Sequence, residues 1–481
     1  MLWLAVRAFF REVEVEGLDR IPKDRCGLIV SWHPNGLVDP GLILTHFPDQ
    51  VVFGARHGLF RYPLLGTLLR RIGTVPIYRA RDLGEMSEDN RRAANRRSLD
   101  ALATEIARGS YSALFPEGVS HDEPFLQGLK TGAARLYYRA RQLQPEGAPP
   151  PVILPVGLHY DDKQMFRSNA LVTFHAPLEL PPQLDVTPQE GVEHPEVRAL
   201  ARQLTDHIEL VLREVVHATD DWALYEAMHR TRRMIRAERA SRVDADPGRT
   251  TISERVLGFA RVRAGYYAML AKRPDDVRRL VAQVQAYDRD LRALGLQDYD
   301  LDRDAAAATT AGLGWLAVRA AIVFLLLPPL VFFGYLVNLP TALGLRALAK
   351  VASRHRKDEA TVKLVVGVLV FPLTWWGVGL IVWRNHASVS TWLQGLPDDA
   401  VLAGLLASGL AALGGVLGVR YLPVAGETAR AVRARITKSR RRLSIARLKR
   451  QRATLTDAIV SMAEGVSLPG RVADDGRVVP R

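Results

Sequence analysis

Three apolar stretches, Ala320–Val337, Leu364–Trp383 and Val401–Val419, crowd into one part of the chain. Each is close to the roughly 17 to 25 residues that carry a helix across a bilayer. A chain with three such runs must place them in lipid or bury all of them in one core. The first reading predicts an integral or deeply embedded membrane protein. Charge sets an orientation. The loop Arg346–Lys357 and the tail Arg430–Arg452 are strongly basic, whereas Asn385–Ala400 is nearly neutral. The positive-inside tendency puts the first two on the cytoplasmic side. The first stretch must then enter and leave on one face, and Pro328-Pro329 predict a re-entrant hairpin over about 320–337. The second and third, 364–383 and 401–419, would cross and return, leaving everything ahead of them at the cytoplasmic face.

The part before these stretches has a different texture. Residues 13–217 alternate short β-rich runs with amphipathic helical ones, the pattern of an α/β domain. Strands are expected at Gly27–Trp32, Gln50–Ala55, Ser112–Phe115, Val152–Tyr160 and Ala170–His175. Helices are expected over Arg96–Arg108 and His194–His217, where Leu200, Leu204, Ile208, Leu212 and Val215 recur at helical spacing. Residues 218–310 read as a mostly helical accessory region, with Val243–Arg249 as a linker and Phe259, Tyr266, Tyr267 and Leu270 as core. The organisation is therefore 1–217 α/β domain, 218–310 helical region, 311–420 membrane-embedded segments and 421–481 basic tail. The opening MLWLAVRAFF lacks the pattern of a cleaved signal and reads as an interfacial helix or a buried one.

A formal charge of +14 attracts anionic partners of any kind. In the tail, Lys438, Arg440, Arg441, Arg442, Arg447, Lys449, Arg450 and Arg452 would grip anionic headgroups at roughly 1 kcal/mol per charge. No aromatic residues interleave them, so nucleic acid is not an expected partner. Cys26 stands alone, which excludes an internal disulfide and a cysteine zinc site.

The chemistry-bearing segment is SWHPNGLVDP, where a predicted strand ends and His33 is followed by Asp39 across a Pro-Asn-Gly turn. A carboxylate bonded to one ring nitrogen fixes the tautomer and frees the other nitrogen to take a proton from a hydroxyl. Alone, such a pair is common. Three further blocks follow in order: GTVPIYR at Gly73–Arg79, FPEGVSH at Phe115–His121 and VILPVGLH at Val152–His159. With these four blocks, residues 13–215 resemble the phospholipid and glycerol acyltransferase superfamily. The resemblance implies a glycerolipid acyltransferase-like fold, with His33 as catalytic base and Asp39 as its partner. It also makes Arg79 a phosphate ligand, a role its donor fork suits. Glu117 and Gly118 would shape a glycerol-phosphate pocket and Pro155 the acyl-donor channel. Gly73 joins the substrate residues through its block, and Lys130 could add a phosphate contact or simply begin a solvated helix.

Two departures bear on the acceptor. Five residues, Pro34 to Val38, separate His33 from Asp39 where the commoner block has four, a form similar to the branch of glycerol-3-phosphate and dihydroxyacetone-phosphate acyltransferases. Ser120-His121 stand where many lysophosphatidate acyltransferases carry Thr-Arg, so Arg79, Lys130 or Arg167 would have to bind the phosphate, or the acceptor differs. The expected chemistry is direct O-acyl transfer from acyl-CoA or acyl-carrier protein to a phosphorylated glycerol or a lysophospholipid. Acyl-CoA is then a co-substrate, and no cofactor or metal is expected. No G-x-S-x-G elbow offers a covalent route. A non-catalytic membrane scaffold on the same fold is the alternative from another class.

Overall fold

In a computed structural model of the chain, the residues described are 2–61, 63–78, 88–163, 165–189, 191, 194–245, 250–302, 310–352 and 359–481. They divide into two compact units, one over Met1–Trp222 and one over most of the remainder.

The first unit is a seven-stranded sheet: β1 (Glu12–Glu16), β2 (Gly27–Ser31), β3 (Val51–Arg56), β4 (Val75–Ile77), β5 (Tyr111–Leu114), β6 (Val152–Tyr160) and β7 (Asn169–Phe174). The order across it is β1-β7-β6-β2-β5-β3-β4, parallel throughout except where β6 meets β7. Helices are α1 (Leu2–Phe9), α2 (Val38–His46), α3 (Pro63–Arg71), α4 (Glu88–Ala107), α5 (Gly132–Leu143) and α6 (Pro195–Val215). Central β2, sequence GLIVS, is buried at every residue, the continuous apolar run of a parallel strand covered on both faces. Leu28, Val30 and Ile153 face a core closed by α4, α5 and α6. On the other face, Phe47 at the end of α2 packs on Tyr111 and Phe174, while Phe10 after α1 stacks on Tyr160. The five expected strands form with bounds moved by one residue or less, and β2 ends at Ser31. β1 and β4 are additional.

The second unit opens with α7 (Trp222–Arg242), α8 (Ile252–Leu270) and α9 (Pro274–Ala293). Among the described residues, three later helices are long and apolar enough to cross a membrane: Val331–Val351, Val365–Arg384 and part of Ala400–Arg440. Most of their apolar surface faces outward, which supports membrane association. Their backbones approach closely at small residues. A Cβ on Gly334 would lie 2.4 Å from the Gly414 carbonyl oxygen. Asn338 donates from Nδ2 to the carbonyls of Gly334 (3.0 Å) and Ala411 (2.9 Å) and accepts from Trp375 Nε1 (2.8 Å), so the three helices share one satisfied amide.

Two expectations are corrected. The chain does not turn back at Pro328-Pro329. A π-helical turn over Ile322–Leu326 leads directly into the helix Leu327–Ala352. The wider turn accommodates two residues that lack N–H donors, so the prolines mark a bulge instead of a hairpin. The basic segment after residue 440 is likewise no loose tail. Helix Arg442–Met462 buries Ile445, Leu448 and Leu455 against Met234, Val284, Tyr287 and Leu291. Arg452, expected to reach for headgroups, is 1% exposed. Its guanidinium donates to Glu238 Oε2 (2.8 Å), Asp302 Oδ2 (2.6 Å) and the Asp298 carbonyl (2.9 Å).

Candidate active site

At the carboxyl end of β2 the chain leaves the sheet as Trp32-His33-Pro34-Asn35-Gly36 and enters α2, whose first turn carries Asp39. A helix N-terminus favours negative charge there. Asp39 is fully buried, and its Oδ2 lies 2.8 Å from His33 Nδ1 while also accepting from the Asn35 amide (2.7 Å). The Tyr160 hydroxyl, at the end of β6, donates to Oδ1. Burial, the Asp39 charge and that hydrogen bond together push the Tyr160 phenol well above its ordinary range, so it stays a donor. Three donors thus keep Asp39 an acceptor. His33 then carries its proton on Nδ1 and turns Nε2 outward, with its side chain 15% exposed. Phe115 stacks on the imidazole at 4.1 Å and 8°, fixing the ring plane.

The FPEG segment continues β5 beside this turn. Continuing the β2–β5 register sets Glu117 opposite His33, and the Glu117 carboxylate accepts from the His33 amide (2.9 Å). Its other oxygen accepts from the Gln127 amide (2.8 Å) and from His121 Nε2 (2.6 Å). His121 Nδ1 accepts from the Glu123 amide (3.2 Å), which assigns the proton to Nε2. Glu117, 1% exposed, therefore clamps the histidine loop and offers no free oxygen to a ligand. Gly118 has φ +68°, a conformation that disfavours a side chain, and a Cβ there would meet Lys130 Nζ at 2.8 Å. The Lys130 amine is thereby brought beside the FPEG turn, and its amide is tied to the Pro116 carbonyl.

Other predicted residues fall elsewhere. Gly73 does not join the site. At φ +73° it closes α3, with its N–H on Arg70 O and the Thr74 N–H on Leu69 O, a Schellman cap. It stands at the base of β4, three strands from β2, so its block is explained by the turn. Arg79 lies outside the described residues. The residue before it, Tyr78, stacks on His57 at 4.5 Å and is held at both backbone atoms by Asn95. Pro155 pairs with Val30, and strand alternation turns it to the opposite face of the sheet from His33. Arg167 sits in the turn between β6 and β7, with its backbone N–H on the Phe9 carbonyl.

Several residues of the site carried no signal of their own in the sequence. Tyr160 reaches Asp39, and Phe115 reaches His33, only through the strand order. Asn35 donates to the Lys163 carbonyl (2.9 Å) and ties the loop to the β6–β7 turn, where Lys163 pairs with Asp122. Asn35 and Phe115 stand inside the recognised blocks, which was the available cue.

A histidine oriented by a buried carboxylate at the carboxyl edge of a parallel sheet defines an α/β domain equipped for general-base chemistry. Residues 12–159 match the family model for acyltransferases, which supports the likeness of this domain to the phospholipid and glycerol acyltransferase superfamily. An uncharacterized acyltransferase of Schizosaccharomyces pombe is 25% identical over 262 residues, 38% of this chain and 38% of its own length. Glycerol-3-phosphate O-acyltransferase 1 of Saccharomyces cerevisiae is 25% identical over 295 residues, 58% of this chain and 37% of its own. The chain thus spans less than two-fifths of the length of either yeast protein. Among solved structures, the 1-acyl-sn-glycerophosphate (LPA) acyltransferase of Thermotoga maritima is 19% identical, with a TM-score of 0.29, and covers 44% of this chain and 78% of that one.

Proposed function

We propose that the protein transfers a fatty acyl group from acyl-CoA or acyl-carrier protein to a hydroxyl of glycerol-3-phosphate or a related lysophospholipid. The observation that carries the reading is the His33–Asp39 pair, with Nδ1 committed to a buried carboxylate and Nε2 turned outward. In this mechanism Nε2 removes the hydroxyl proton as the oxygen attacks the thioester carbonyl. Asp39 stabilises the imidazolium that forms, and the leaving thiolate recovers the proton. Lys130 and Arg79 serve as phosphate ligands, and the positive charge of the chain favours an acidic donor. Similarity to the yeast glycerol-3-phosphate enzyme and the five-residue His–Asp spacing favour that acceptor; the lysophosphatidate acyltransferase reading is the second.

The orientation we propose is cytoplasmic. The ion pairs and packing of helix 442–462 against α7 and α9 require both segments on one side of the bilayer. The chain must therefore cross an even number of times between them, although three helices have the length to cross. Among the described residues no helix ahead of α7 is long and apolar enough to cross, which supports the same side for the acyltransferase domain. The basic run after residue 430 favours the cytoplasmic side for both. Incubating membranes that contain the protein with labelled acyl-CoA and each acceptor separately tests the activity. Transfer to glycerol-3-phosphate, abolished by His33→Ala, is expected; retained transfer in that variant refutes the mechanism.

A further inference from the structure

Within the second unit, α7, α8, α9 and the chain from Ile459 onward enclose a cavity of about 380 Å³ that the acyl-transfer reading does not use. Its wall is graded. Along α7 the lining runs from Leu224 and Met228 in the first two turns to Arg232, Arg236 and Arg239 in the last three. α8 runs antiparallel, since Arg236 pairs with Glu254 near its start (2.8 Å) and Arg232 packs on Gly258. Met269 at its far end and Val277, Leu280 and Val284 of α9 complete an apolar end. Arg261 adds a further guanidinium at the charged end, donating to the carbonyls of Pro469 and Gly470 (both 3.1 Å).

The balance of charge at that end is uneven. Arg236 has Glu254, and Arg242, six residues on, has Glu238 and Asp457. Arg239 has no carboxylate partner among the described residues, although it lines the cavity and is half-buried. Burial and the neighbouring Arg261, Arg236 and Arg242 lower its pKa to about 10, so it remains a cation at neutral pH. A half-buried cation without an anion is a ready partner for an acidic group that enters the cavity. The hairpin of Arg471–Val472 and Val478–Val479 closes over it: a Cβ on Gly476 would lie 2.7 Å from Arg239 Cβ, and Arg236 donates to the Asp475 carbonyl (3.3 Å).

We infer that this cavity binds a single-chain anionic amphiphile, its acid group on Arg239 and its chain among Met228, Met269, Val277 and Val284. Small-molecule sites are mostly apolar with a few placed polar groups, and this volume is at their lower end, suiting one chain. A fatty acid and a monoacyl phosphate share the required chemistry. Either would make the site a sensor of acyl supply or product, apart from the catalytic histidine.

The test uses the full-length protein in phosphatidylcholine nanodiscs with two probes, each bearing a diazirine in its chain: palmitate, and a 1-acylglycerol 3-phosphate. After irradiation, labelled peptides are mapped by mass spectrometry. Labelling of the Met269 and Val277–Val284 peptides is expected, reduced at least tenfold by Arg239→Gln and by Val281→Trp, which obstructs the apolar end of the cavity and leaves every arginine in place. The probe that labels at the lower concentration identifies the headgroup. His33→Ala should label like the native chain, which separates this site from the proposed catalytic one. Labelling confined to the apolar helices, or undiminished by Val281→Trp, overturns the inference even if Arg239→Gln fails to fold.

Discussion

Replacing Asp39 with asparagine should remove a charge while leaving the histidine where it is. Two fixed donors, His33 Nδ1–H and the Asn35 amide, meet at Oδ2, and one rotatable donor, the Tyr160 hydroxyl, meets Oδ1. An amide therefore has one favourable placement: its oxygen takes the Oδ2 position and its NH2 faces Tyr160, whose hydroxyl turns to accept. His33 keeps its tautomer and loses only the negative charge that stabilises the imidazolium. At a separation of about 4 Å and an effective dielectric of about 20, that charge is worth ~4 kcal/mol. Converted to rate, this is a loss of about a hundredfold to a thousandfold in kcat. The assay is thiol release from acyl-CoA by protein in nanodiscs at saturating acceptor, with KM expected within threefold of native. Tyr160→Phe alone should cost less than about tenfold. Combined with Asp39→Asn it leaves the amide NH2 buried without an acceptor, so the double loss should exceed the product of the single ones. A kcat within threefold of native for Asp39→Asn, or a deficit wholly in KM, would refute this account of the pair.

Three further outcomes follow from other parts of the molecule. Arg452→Met leaves Glu238 and Asp302 without their shared cation and should destabilise the helical region by about 3–5 kcal/mol, seen as faster amide hydrogen exchange in α7 and α9. Gly118→Ala places a Cβ in a left-handed backbone and against Lys130, so about 1–2 kcal/mol of stability and a several-fold rise in KM for a phosphorylated acceptor are expected together. Burial lowers the His175 pKa to about 4. The unfolded chain binds a proton near pH 6.5 that the folded one refuses, so stability falls as pH drops from about 6.5 toward 4, by ~2 kcal/mol at pH 5. His175→Phe should flatten that part of a denaturation-against-pH curve.

The sequence was most legible where local pattern and burial agree. β2 and β6 read directly as strands because a parallel sheet buries both faces, and α6 announced itself by its apolar stripe. β1, with sequence EVEVE, alternates three carboxylates with two valines and takes its place only through pairing with distant β7. His33 and Asp39 were visible because they are six residues apart on one turn. Tyr160, 121 residues from Asp39, was not, since nothing local says that β6 lies beside β2. Glu117 was visible as an acid in a motif, which suggested a substrate contact, whereas in the fold both of its oxygens are occupied by the protein's own donors. Arg452 shows the limit of counting charge, because one helix exposes Arg447 and Arg450 while burying the cation two residues further on.

Arg452 also imposes an order on biosynthesis. Glu238 is 214 residues ahead of it and Asp302 also precedes it, and the long apolar helices are translated in between. On the ribosome, α7 to α9 emerge with their acidic groups waiting for a cation that has yet to be made. The helical region can finish folding only after the apolar helices have been made and residues 442–462 have reached the side that holds α7 and α9. A chain that threads wrongly delivers Arg452 to the other compartment and leaves the carboxylates exposed in a half-built domain. The ion pair thus ties completion of the helical region to the side of the bilayer on which residues 442–462 arrive.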